Sequence, residues 1–134
     1  MGRKKIVKPT TTTVMVEGEA VTITIDEDPT FASLRSSLLQ IAKIPGIKGY
    51  ILKNSKTAVI DLQNPAKLVE YALLSSEATD ACEELSELFK LNATKVVVEG
   101  SEIKMLCMTI GDNKLSIFME KSVDHADIFR QISP

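Results

Sequence analysis

A chain of 134 residues can close one domain around a sizeable core. Its 44% hydrophobic and 25% charged residues are ordinary for a globular protein, and no uncharged apolar run is long enough to cross a membrane. The net charge of −2 is unevenly placed: Arg3, Lys4, Lys5 and Lys8 meet no acid through residue 13, and the remaining 12 basic and 18 acidic residues carry −6, a poor footprint for a nucleic-acid binder.

Residues 1–13, with the basic tract, Pro9 and four threonines, are expected to be a disordered tail. No hydrophobic stretch follows the basic tract, so it does not read as a secretory signal. In residues 14–26 the apolar residues Val14, Val16, Val21, Ile23 and Ile25 alternate around Glu17-Gly18, which predicts a β-hairpin. Asp28-Pro29 is a cap-then-proline start for a helix to about Lys43, with Phe31, Leu34, Leu38 and Ile41 on one face. Asp26, Glu27 and Asp28 suit a helix N-terminus better than a cation site, since no further ligands complete a loop.

Pro45-Gly46 stops that helix. Two strands follow, about Lys48–Lys53 and Thr57–Leu62, split by Asn54-Ser55-Lys56. Asn64-Pro65 then opens a long helix to about Lys90. Its stripe of Leu74, Ala78, Ala81, Leu85 and Leu88 is widened at the start by Leu68, Val69, Ala72 and Leu73. Three strands follow, about Thr94–Glu99, Glu102–Ile110 and Lys114–Glu120, with turns at Gly100-Ser101 and Gly111-Asp112-Asn113. The run Met105 to Ile110 is apolar at nearly every position, as in a sheet covered on both faces. A last helix spans about Asp124–Ile132, with Asp124 as cap and Ile128, Phe129 and Ile132 as apolar residues.

Strands joined by tight turns are antiparallel. The expected fold class is therefore α+β: a five-stranded antiparallel sheet with helices on both faces, in the order α-β-β-α-β-β-β-α, preceded by the extra N-terminal hairpin. The expected division is a tail at 1–13, the hairpin at 14–26 and one domain at 27–134.

The motifs of catalysis are missing. No Gly-Lys-Ser/Thr and no GxGxxG occurs. The sole histidine, His125, lies between Asp124 and Asp127 at a helix start and shows no positioned partner for acid–base work. Cys82 and Cys107 sit in helical and strand patterns that favour inert, reduced thiols, as in a cytoplasmic protein. Glu83, Glu84 and Glu87 read as the solvated face of the long helix. With two tyrosines, four phenylalanines and no tryptophan, no aromatic platform for bases is available, and Phe31 and Phe129 fit buried helix faces. No catalytic residue, cofactor or metal is expected.

The stretch IPGIKGYILKNSKTAVIDL, the following SSEATDACEELSEL helix and KVVVEGSEIKMLCMTIGDNKLSIFMEKS together resemble the roadblock-type dynein light-chain family. Gly46-Ile47-Lys48-Gly49 is similar to the Gly-Val-x-Gly opening of the family hairpin, and Gly111-Asp112 to its last turn. The likeness runs from about Pro29 to Ser133. Residues 1–26 lie outside the family core, and Asn54-Ser55-Lys56 lacks the Asp-Gly common in relatives.

The resemblance implies a non-enzymatic, prokaryotic-type adaptor or regulator that forms a homodimer. It places the dimer interface on Leu74, Ala78, Ala81, Leu85 and Leu88 of the long helix and on Val96 and Val98 of the next strand. It also implies a partner protein, most readily a small Ras-like GTPase whose nucleotide state the dimer regulates. The bland account of the stripe is that it only covers the chain's own sheet. The alternative function is a small-molecule-sensing, profilin-like domain, for which Thr109 and Ser116 are the inward polar candidates. A nucleic-acid role through Arg3, Lys4, Lys5 and Lys8 stands third, because the body is acidic.

Overall fold

The computed structural model describes residues 9–16, 19–26 and 29–132, with side chains from residue 29 onward. Asp28, the expected helix cap, and Arg3, Lys4, Lys5 and Lys8 lie outside the described residues. Strands β1 (Pro9–Val16) and β2 (Glu19–Asp26) pair antiparallel in a sheet of their own, with Val14 opposite Val21.

Helix α1 (Pro29–Ile41) buries Phe31, Leu34, Leu38 and Ile41, the four positions that the 3.6-residue period selects. It ends two residues before the expected Lys43. A single turn then leads to Gly46, whose φ of 92° carries the chain into β3 (Ile47–Lys53). β4 (Ala58–Leu62) returns antiparallel to β3. The turn between them does without Asp-Gly because Asn54 supplies the missing bonds. Its Oδ1 accepts from the backbone N–H groups of Lys56, at 2.8 Å, and Thr57, at 3.0 Å.

Asn64 caps as its position suggests, accepting from the Ala66 N–H at 3.1 Å. What it caps is a 3-10 turn, Pro65–Lys67, and helix α2 (Leu68–Phe89) starts only after it. α2 ends at Lys90, which adopts the left-handed conformation. Then come β5 (Lys95–Glu99), β6 (Ile103–Ile110) and β7 (Asn113–Glu120). Helix α3 (His125–Gln131) is capped by Asp124, which accepts from the Ala126 N–H at 2.9 Å.

The five strands β3 to β7 form one antiparallel sheet in the order β4-β3-β7-β6-β5, so β4 and β5 are its edges. Alternation sends Tyr50, Leu52, Leu106, Leu115, Ile117 and Met119 into one core with the buried faces of α1 and α3. It sends Ile51, Met105, Cys107 and Phe118 into the other, under Tyr71 of α2, whose ring stacks on Phe118 with centroids 4.3 Å apart. The apolar run in β6 thus belongs to a strand covered on both sides.

The β3–β4 turn is fastened to the β6–β7 turn. Asn113, 1% exposed, accepts from Asn54 Nδ2 at 3.3 Å and donates to the Ile110 carbonyl at 3.3 Å. Ser55 Oγ donates to Asp112 at 3.2 Å. Buried amide groups need partners, and these two turns satisfy each other.

Candidate functional site

The line of α2 that faces the sheet is Tyr71, Ser75 and Thr79, each four residues apart. Two of the three are polar, so an apolar-pattern reading passes over them. They are satisfied locally. The Ser75 and Ser116 hydroxyls bond each other, Ser116 meets Cys107 Sγ at 3.2 Å, and Thr79 Oγ1 donates to the Ser75 carbonyl at 2.8 Å. The small side chains let the helix backbone lie close to β5 and β6.

A residue advances about 100° around a helix, so the stripe of Leu74, Ala78, Ala81, Leu85 and Leu88 is centred about 100° away from that line. It occupies the flank of the helix and is only half used. Leu74 and Ala78 pack, with Val96 and Val98 of β5, on the core cluster around Phe118. Ala81, Leu85 and Leu88 are exposed, the two leucines at 51% and 67%. Phe89 and Leu91 extend the uncovered surface at 67% and 61%. Four of the seven residues the sequence nominated therefore meet inside this chain, and three face solvent beside them.

Leu68, Val69 and Leu73 do not widen the buried stripe. They are 40%, 70% and 61% exposed. Val69 and Leu73 lie on the side of α2 turned away from the sheet, and Leu68 is the first residue of the helix. Phe129 also departs from expectation. It is 39% exposed, with Lys95 Nζ 4.0 Å from its ring centre, an exposed cation–π contact that ties α3 to β5. Glu83 is not merely solvated: it pairs with Lys114 of β7 at 2.9 Å.

β5 is an edge strand. The backbone bonds Gly100 N to Ile103 O, at 2.8 Å, and Thr109 N to Thr94 O, at 2.8 Å, set its alternation. Val96 and Val98 then bond inward to β6, while Lys95, Val97 and Glu99 turn their backbone groups outward. Three consecutive valines beside an open edge are an invitation to pairing.

Of the polar groups proposed for a ligand pocket, Ser116 is spent on Ser75 and Cys107. Thr109 is half-buried on the same face of the sheet, in the neighbouring strand β6. A cleft of about 330 Å³ lies elsewhere, lined by Lys48, Gln63, Asn64, Lys67 and Tyr71. Lys48 is paired with Glu120 at 3.3 Å and Lys67 with Glu70 at 3.1 Å, and Gln63 donates to the Ile47 carbonyl at 2.8 Å. Among the described residues no cluster of three or more His, Cys, Asp or Glu could hold a metal ion, and no helix is long and apolar enough to cross a membrane. His125 is half-buried, with Nδ1 3.4 Å from Nζ of the buried Lys104.

Burial pushes the Cys107 thiol above its ordinary 9.0, against the opposing hydrogen bonds of Ser116 and Thr79. Below pH 9 the thiol is protonated in both folded and unfolded chains. Above it the unfolded thiol ionises first, so the stability this group contributes is lost as pH rises through its folded value. We expect the unfolding free energy from urea titration to fall more steeply above pH 9 for the wild type than for Cys107→Ser, by at most about 1.4 kcal/mol per pH unit. Equal slopes would contradict this.

Neither a protein-family model nor a curated protein matches the sequence. Solved structures do match. A roadblock/LC7 domain from Streptomyces avermitilis is 18% identical, with a TM-score of 0.58 over 74% of this chain and 85% of that one. Myxococcus xanthus MglB is 14% identical, with a TM-score of 0.62 over 79% and 84%. The gliding protein MglB from Thermus thermophilus is 14% identical, with a TM-score of 0.58 over 78% and 84%. These likenesses show that the chain has the roadblock/LC7 fold.

Proposed function

We propose that this chain is a prokaryotic-type roadblock protein: a cytoplasmic, non-enzymatic homodimer that binds a small Ras-like GTPase and regulates its nucleotide state. The observation that carries the dimer is the uncovered flank of α2 beside the open edge of β5. Both halves are self-complementary, as a two-fold interface requires. Antiparallel pairing of two β5 strands about Val97, whose backbone groups point outward, sets Lys95 of each copy opposite Glu99 of the other. Antiparallel packing of two α2 helices about Ala81, the midpoint of the stripe, sets Leu74 of each against Leu88 of the other. The alanines at Ala78 and Ala81 leave room for close approach.

The GTPase rests on fold likeness, since fold alone does not carry a partner. The domain division proposed with it is a tail at 1–13, an appended hairpin at 14–26, whose first strand reaches back to Pro9 among the described residues, and the roadblock domain at 27–134. The test is GTP turnover by a Ras-like GTPase encoded in the same genome, with the wild-type chain and with Ala81→Glu. The wild type is expected to change turnover at least about tenfold, a change of about 1.4 kcal/mol in barrier. Ala81→Glu, which sets two carboxylates on the dimer axis, is expected to lose most of that effect. No change with any such GTPase would end the regulatory proposal.

A further inference from the structure

Two features of this fold are each incomplete within one chain. The first is β4, the sheet edge that the dimer proposed above does not use. Backbone bonds from Asn54 N to Thr57 O and from Gln63 N to Lys48 O, both 2.9 Å, set its alternation. Val59 and Asp61 bond to β3, so Ala58 and Ile60 turn their N–H and C=O groups away from the sheet. Among the described residues no strand pairs with that outer side. Ile60 is 46% exposed. Within Ala58–Leu62 no proline or lysine blunts the edge, and Asp61 is its one charge.

The second is the β1–β2 pair. Its strands are eight residues each and pair only with one another, in a sheet separate from the main one. A two-stranded hairpin alone is marginal in water and needs a third strand or a packed face. Its sequence alternates Val21, Ile23 and Ile25 with polar residues, the pattern of a strand with one face to bury.

We propose that the β1–β2 arm of one copy adds to the β4 edge of a second copy, reciprocally, as a contact distinct from the α2–β5 dimer. Each element supplies what the other lacks: a row of backbone partners for the edge, a third strand for the arm. The occupant is a second copy because the two sheets of one chain do not pair. The exchange is reciprocal because the arm is rooted beside the edge it fits. Two residues separate β2 from α1, a link of roughly 10 Å at most. α1 packs on β3, the strand that β4 pairs with, and Val59 of β4 joins the core that α1 covers. A two-fold axis near that root lets both arms cross and closes the contact, where a one-way arm would build an open chain. Combined with the α2–β5 contact, it makes a dimer of dimers.

The test is amide hydrogen exchange at Ala58 and Ile60 with light scattering, in the Ala81→Glu background, so that failure of the α2–β5 dimer cannot mask the result. At high concentration both amides are expected to exchange at least about 100-fold more slowly than free amides, in a species of twice the chain mass. Dilution or deletion of residues 1–26 should release them, while the Val59 and Asp61 amides, which bond β3, stay protected and report a folded domain. Ile60→Pro loses only an outward N–H, so it should keep the fold and abolish the doubled mass. Free exchange at Ile60 at every concentration would overturn the proposal. So would protection that persists in the diluted monomer, which would put the arm on its own chain's edge.

Discussion

Gly49→Ala is expected to destabilise the chain by at least about 3 kcal/mol, a loss readable as a large drop in urea midpoint. Gly49 lies in β3 between Leu62 of β4 and Phe118 of β7, with φ at 150° and a register shift just before it. A Cβ there would stand 2.3 Å from the Asp61 carbonyl oxygen and 2.8 Å from the Leu62 Cα. Both are backbone atoms, so relief requires moving the β4 strand rather than a flexible side-chain end. Gly111 is the control. Its φ is 60°, but nothing lies within 4 Å of a Cβ placed on it, so Gly111→Ala carries only the left-handed backbone cost of about 1–2 kcal/mol. A Gly49→Ala loss no larger than that of Gly111→Ala would contradict the packing described for β3 and β4.

Phe118→Ala is expected to lose about 3–5 kcal/mol, enough to consume a large part of the stability of a domain this size. Phe118 is fully buried in the central strand β7 and stacks on Tyr71 at 15° between ring planes. Tyr71 is the main aromatic anchor of α2 on the sheet, because the next two sheet-facing residues are Ser75 and Thr79. Removing the ring therefore opens a cavity under the helix and frees its N-terminal half. Hydrogen exchange should rise first at residues 68–79. A loss below about 1.5 kcal/mol would mean that Ser75, Thr79 and Ala78 hold the helix without the aromatic pair.

Much of the five-stranded domain is legible in the sequence because its punctuation is chemical. Pro45-Gly46, Asn64-Pro65, Gly100-Ser101 and Gly111-Asp112-Asn113 do what their side chains and backbone freedom dictate. Phe31, Leu34, Leu38 and Ile41 fall on one helix face by period alone. The candidate surface is legible only in part. A stripe of leucines and alanines announces an apolar flank, but not which half of it the chain's own sheet consumes. That depends on Ser75 and Thr79, whose hydroxyls are buried only because Ser116 and the Ser75 carbonyl are there to bond them. The Ser75–Ser116 pairing, 41 residues apart in sequence, leaves no local pattern. The same holds for Asn113, buried because the turn around Asn54 is there to bond it. Phe129 misleads for the opposite reason: a large aromatic beside Ile128 reads as core, yet its ring meets the charge of Lys95 at the sheet edge.

The central claim is that the uncovered flank of α2 and the open edge of β5 are halves of one interface between two copies. Solution mass by light scattering, measured over a hundredfold range of concentration on the wild type and on Ala81→Glu, tests it most directly. The account expects the wild type never to fall to the mass of one chain in the micromolar range. Ala81→Glu should lower the mass by a factor of two with its circular dichroism unchanged. A wild type that runs as a monomer throughout, or an Ala81→Glu variant with undiminished mass, would contradict it.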